Sequence, residues 1–175
     1  MTHFPILYTS RLRLRKIDAD DIPALVQYAN NPKVSKYVLN IPYPYQEPDA
    51  VFRIGYVHQG FKTNSRYVFS IALKETDAFI GEISLHLDIK KPIAQLAYWI
   101  GEPFWNRGIV SEAIARVLVF GFDVLKLEVI LATCDAENIG SVKVLEKNGF
   151  IKTSSAGNIL HYTLQRQNDE SISFS

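Results

Sequence analysis

Cysteine occurs once in the 175 residues, at Cys134. One thiol excludes an internal disulfide and any zinc or iron-sulfur site built from several thiolates, and it fits a reducing, cytoplasmic setting. Charge of one sign is equally scarce: 19 Lys plus Arg stand against 18 Asp plus Glu, a net charge of +1. Such a chain carries no global field for gathering nucleic acid or an anionic membrane, so neither is expected as a partner and any anionic ligand must be held locally. No apolar run approaches the roughly 18 residues of a membrane span. The most apolar stretch, residues 110–125, is broken by Ser111, Glu112, Arg116 and Asp123, and the N-terminus lacks the basic-then-apolar pattern of a signal peptide. Internal repeats, low-complexity tracts and Gly/Ser linkers are missing too. What is present, 47% apolar and 21% charged residues, is the composition of one folded domain, placed at residues 1–166, followed by a polar tail at 167–175 that is expected to fray.

Residues 11–15 alternate with period two and predict a strand with Leu12 and Leu14 inward. Asp20 is the expected cap of a helix with Pro23 in its first turn and Leu25, Val26 and Ala29 on one face. A short helical piece around residues 34–38 leads into Pro42, Pro44 and Pro48, a Pro- and Tyr-rich stretch whose residues 37–45 are a candidate binding loop, and a second helix is expected from Pro48 to Gln59, ended by Gly60. Residues 67–73, 79–87 and 93–100 are β-branched and aromatic runs that predict an antiparallel meander. In the second of these, Glu82, Ser84 and His86 share a polar face. A helix is expected over 108–124, a strand over 127–133, a helix over 138–148 and a closing hairpin around Gly157 and Asn158.

Two segments carry chemistry. In YWIGEPFWNRGIVSEA, residues 98–113, a strand passes through Gly101, Pro103 and Gly108 into the start of a long apolar helix. The unpaired N–H groups of a first helical turn and the positive end of the helix dipole make an anion site, and Gly108 lets a phosphate approach without a Cβ in the way. Arg107 adds a charge. The segment is neither a Gly-x-x-x-x-Gly-Lys-Ser/Thr loop nor a Gly-x-Gly-x-x-Gly turn. In NIGSVKVLEKNGF, residues 138–150, Asn138 reads as an N-cap, Ser141 as a residue of the first turn, and Gly149 as the stop.

With TSRLRLR at residues 9–15, the helix opened by DADD, and FIGEISL at 79–85, these segments follow one another as in the GNAT acetyltransferase superfamily, which the chain resembles over nearly its whole length. The likeness is strongest to the branch that includes bacterial ribosomal-protein N-terminal acetyltransferases. It implies an α+β fold, with a mostly antiparallel central sheet flanked by helices and one splayed parallel strand pair. It also implies acetyl-CoA as cosubstrate. The pyrophosphate would lie on backbone amides of Asn106, Arg107, Gly108, Ile109, Val110 and Ser111, and the acyl arm in the gap beside Trp99 and Ile100, with Asn138 nearby. Two positions depart from the superfamily pattern: Trp105 replaces a polar residue and Val110 a small one.

Acetyl transfer needs a neutral amine, yet an α-amine has a pKa of about 7.7–8.0 and a lysine of about 10.4. A base must take the proton. Glu82 and His86 are the candidates, Glu82 placed first because Gln95 stands where this branch often carries a carboxylate. A main-chain N–H near Ile100 is the expected oxyanion donor, and Ser141 resembles the residue that protonates the departing thiolate. The expected reaction is direct attack by a primary amine, a protein N-terminus or a small amine, in a ternary complex on a monomer or homodimer without metal. A CoA-binding regulatory domain of weak activity and a thiol enzyme using Cys134 are the alternatives.

Overall fold

The alternating run near the N-terminus does form a strand, Leu12–Lys16, with Leu12 and Leu14 fully buried. In the computed structural model, which describes residues 3–38 and 40–167, this is β2 of one eight-stranded sheet. The spatial order is β1 (Leu7–Tyr8), β2, β3 (Arg66–Leu73), β4 (Phe79–Leu87), β5 (Ile93–Ile100), β6 (Val129–Asp135), β8 (Ile159–Gln165) and β7 (Ile151–Ala156). All neighbours are antiparallel except β5 and β6, which run parallel. The α+β architecture expected from the sequence is therefore the one observed.

Helices cover both faces. α1 (Ile22–Ala29), α2 (Pro32–Ser35) and α3 (Glu47–Lys62) pack on one, burying Leu25, Val34, Ala50 and Val57 with Val68, Phe79 and Trp99 from the strands. α4 (Ile109–Val119) and α5 (Ile139–Lys147) pack on the other, where Ala113, Ile114, Val117 and Leu145 meet Tyr67, Phe69, Ile83 and Leu85. Because the central strands are buried on both sides, both parities of β3 are apolar, and strict alternation gives way to a continuous run.

Three boundaries differ from expectation. The cap upstream of α1 is Asp18, whose Oδ1 accepts the Asp20 N–H at 3.0 Å, because a 3-10 turn at Ala19–Asp21 precedes the helix. Asp21 is instead held by the Arg15 guanidinium through two bonds of 2.7 Å. α3 continues through Gly60 to Lys62, and the left-handed residue beyond it is Asn64, at φ 53°. The helix ends at Val124 as expected, but the expected strand over 127–133 begins two residues late, since left-handed Lys126 turns the chain and the Leu127 N–H is still bonded to the Gly121 carbonyl at 3.0 Å. The described residues continue past β8, where the Arg166 N–H donates to the Glu128 carbonyl at 2.8 Å. Of the expected tail, residues 168–175 lie outside the described residues.

Candidate active site

The parallel pair is short. β5 and β6 are paired only from Ile93 opposite Val129 to Leu96 opposite Ala132, after which β5 stays on β4 as far as Ile100 while β6 follows β8. A gap opens at Ala97, which is exposed. The Gly101 N–H donates to Ile80 of β4 at 2.9 Å. By strand alternation, the Tyr98 and Ile100 amides then point into the gap with no strand opposite them. The Ile100 carbonyl is taken by Trp105 Nε1 at 2.8 Å, which draws the next loop across the mouth of the gap.

That loop has two left-handed residues, Asn106 at φ 58° and Gly108 at φ 71°, and the second is the cap from which α4 springs. Among the described residues, no protein acceptor takes a backbone N–H from Asn106 to Ser111. Six consecutive unpaired donors lie at the positive end of a helix, an arrangement suited to a large anion. The loop is braced from behind. Glu112 accepts from Thr9 Oγ1 at 2.5 Å, Ser10 Oγ at 3.1 Å, the Arg11 N–H at 3.0 Å and Arg11 Nε at 2.6 Å. Burial alone would raise its carboxyl, but these donors prevail and pull it down to about 2. Arg11 also donates through Nη1 to the Arg107 carbonyl at 3.0 Å, which leaves its guanidinium beside Gly108. The Ser111 hydroxyl accepts from Asn148 at 3.0 Å and so ties α4 to the end of α5. Sequence reasoning missed Arg11; the only signal for it was the arginine alternation of the first strand.

On the α4 side of the gap, Ser141 meets a residue the sequence did not single out. Its Oγ lies 2.6 Å from the Tyr98 hydroxyl, while its N–H donates to Asn138 Oδ1 at 3.2 Å. Burial raises Tyr98 well above the usual phenol range, so its oxygen keeps the proton. Cys134 lies within reach of Ser141, and burial pushes its thiol up. That is the opposite of what an activated nucleophile requires, and the thiol-enzyme alternative loses its support.

The expected polar face of β4 is not a solvated face. Glu82 is only 2% exposed, receives Arg53 Nη2 at 2.6 Å and Nε at 3.2 Å, and accepts from Trp99 Nε1 at 3.2 Å. All three bonds fall on Oε2, while Oε1 has only Arg53 Nε at 3.4 Å, and the Trp99 side chain belongs to the core beneath α3. His86 is half-buried. One ring nitrogen, Nε2, lies 3.0 Å from Ser84 Oγ, and that hydroxyl is 3.3 Å from the Ala97 carbonyl where the gap begins. Burial lowers the His86 pKa, and the Arg66 and Arg53 guanidiniums lower it further against the pull of Glu82. Tyr45 of the candidate binding loop is buried, its N–H bonded to Asn30 at 3.0 Å, whereas Tyr43 is exposed. Among the described residues no cluster of His, Cys, Asp and Glu is placed to hold a metal, and no helix is long and apolar enough to cross a membrane.

A family model described as an acetyltransferase (GNAT) domain matches residues 11–151, from the strand that braces the loop to the start of β7. The chain belongs to the GNAT acetyltransferase family. It is an acetyltransferase, in a family that uses acetyl-CoA. The uncharacterized N-acetyltransferase p20 of Bacillus licheniformis is 35% identical over 149 residues, 83% of this chain and 82% of that one. A GNAT-family acetyltransferase of Bacillus anthracis superposes with a TM-score of 0.81 at 23% identity, covering 92% of this chain and 98% of the other. RimL, a ribosomal L7/L12 α-N-protein acetyltransferase solved with coenzyme A, gives 0.80 at 16% identity over 92% and 98%. At those identities the two structures establish the shared GNAT fold.

Proposed function

We propose that this GNAT protein transfers the acetyl group of acetyl-CoA to a primary amine, a protein N-terminus or a small amine, by direct attack in a ternary complex. It would act in the cytoplasm as a monomer or homodimer, with neither nucleic acid nor membrane as partner. The observation that carries the reading is the row of unpaired amides from Asn106 to Ser111 beside the β5–β6 gap. It offers a pyrophosphate six donors and, within one strand length, a slot for an extended thiol arm.

Acetyl-CoA brings an activated acyl carbon, and the chain's own residues orient it and move protons. The loop amides, with Arg11 and Arg107, hold the anion. The Tyr98 and Ile100 amides face the position where negative charge develops on the acyl oxygen. As the amine nitrogen bonds to that carbon and the carbon–sulfur bond breaks, the amine proton goes to His86, directly or through Ser84. The sulfur takes a proton from Ser141, whose oxygen the Tyr98 hydroxyl steadies by a hydrogen bond across their 2.6 Å contact, and water returns the proton to Ser141. Glu82, locked between Arg53 and Trp99, positions the strand and balances Arg53.

Acetyl-CoA with a panel of N-terminal peptides, polyamines and aminoglycosides, followed by thiol release, tests the reading. Sustained release with at least one acceptor is expected, whereas tight CoA binding without turnover on any of them would make the protein a sensor. Ser141→Ala is expected to lower kcat about 10-fold or more with the Kd for acetyl-CoA nearly constant, because its bond strengthens only as charge develops on sulfur. Wild-type kcat in that variant would leave Ser141 as a helix-start hydroxyl.

A further inference from the structure

The face of the sheet that carries Ser84 and His86 also carries an unneutralised cation. Arg66, the first residue of β3, sits in register with His86 on β4, which in turn sits opposite Gln95 on β5. Its guanidinium stacks on the Tyr56 ring at 3.8 Å from the centroid. Nε and Nη1 are buried with no hydrogen-bond partner, and no carboxylate among the described residues lies within ion-pair distance. The nearby Arg53 adds to the positive charge, and its own carboxylate, Glu82, is already spent on it. The setting is built for this side chain: a Cβ on Gly60 would fall 2.3 Å from Arg66 Cγ and Nε, so a glycine inside α3 makes the room. Glycine in a helix interior costs stability, and two buried guanidinium nitrogens without a partner cost more. Packing alone would favour a larger residue at position 60 and an apolar one at 66.

Resting on the acetyl-transfer reading above, we infer that Arg66 is a specificity-determining residue that receives a carboxylate of the acceptor, which makes the substrate an acidic N-terminal peptide segment. The spacing sets where that carboxylate sits. From β3 to β5 is two strand spacings, about 10 Å in all, and an extended peptide advances about 3.3 Å per residue. Arg66 is also level with Gln95, two residues before the gap opens at Ala97, which adds about 7 Å along the strand, so an acceptor with its α-amine at the gap brings the side chain of its third or fourth residue to Arg66. A free amino acid carries its carboxylate too near its amine to bridge that span. Polyamines and aminoglycosides would set like charge against Arg66 and Arg53.

Peptides beginning Ala or Ser, with Asp or Glu at position three or four, are compared with their Asn and Gln counterparts. The wild-type protein is expected to prefer the acid over the amide by about 10-fold or more in kcat/KM, carried by KM, since hydrogen bonds to charged groups are worth at least that. In Arg66→Gln the ratio is expected to fall to about one, and in Arg66→Lys, which keeps the charge and loses the fork, to lie between. A parallel calorimetric titration uses the acetylated peptides with CoA present and needs no turnover, so it separates this inference from the activity. No acid preference in either assay with wild-type protein, or a preference that survives Arg66→Gln, overturns the assignment of Arg66. No turnover with any amine, while calorimetry still shows the acid preference, would instead overturn the transferase reading.

Discussion

Gly108→Asp is expected to fold normally and to lose at least 100-fold in affinity for acetyl-CoA. The fold should survive because Asp tolerates the left-handed region better than most residues and is among the best helix caps, the position Gly108 occupies at φ 71°. Nothing crowds a new Cβ either, the nearest atom being Arg11 Nη2 at 3.7 Å. Binding should fail for two reasons. The side chain fills the approach to the six loop amides, and its carboxylate stands against the pyrophosphate, where one like-charge pair at 4 Å costs about 4 kcal/mol at an effective dielectric of 20. Gly108→Ala separates the two effects, adding bulk and backbone strain without charge, and should weaken binding by about 10-fold. Calorimetry with acetyl-CoA and with CoA reads both variants. A folded Gly108→Asp protein with unchanged affinity would move the anion site off this loop.

The loop could be read in the sequence because its requirements are local. A glycine between an apolar strand and an apolar helix, with no phosphate-loop consensus, leaves few uses for the chain at that point. The order of elements was legible for the same reason, since each period change and turn residue lies within a few positions of the boundary it marks. What could not be read was pairing across long separations. Arg11 and Glu112 are about a hundred residues apart and meet only because β2 and α4 end on the same side of the sheet. Tyr98 looked like one aromatic in an apolar strand until α5 brought Ser141 to it. Period two correctly put Glu82 and His86 on one face, but periodicity cannot say what covers that face. α3 does, and Arg53, seemingly an ordinary exposed cation on a helix of weak amphipathicity, turns inward to neutralise Glu82. The cap upstream of α1 was missed by two residues because a 3-10 turn and an α-helix share the same capping residues.

Because Glu82 is buried in an ion pair with Arg53 and His86 is bonded only to Ser84 among the described residues, the base variants should separate sharply. His86→Gln is expected to lose about 100-fold in kcat/KM, the usual contribution of a positioned base, with little change in melting temperature, since the half-buried imidazole bonds only to Ser84 among the described residues. Glu82→Gln should show the reverse emphasis. It strands Arg53 without its counter-charge in a buried site, a loss of about 3 kcal/mol seen in thermal melting, while the folded fraction retains most of its activity. The pH profile adds an independent reading. Burial, Arg66 and Arg53 hold His86 below the ordinary histidine value of 6.5, with Glu82 opposing them. The neutral imidazole is therefore the dominant form at pH 7, and activity should fall only as pH drops through that lowered pKa and the ring takes up a proton. Removing the Arg66 charge should shift this acidic limb upward, towards 6.5, and His86→Gln should abolish it. A His86→Gln enzyme with wild-type kcat/KM and an unchanged acidic limb would return the base to Glu82, or show that the acceptor amine arrives already deprotonated.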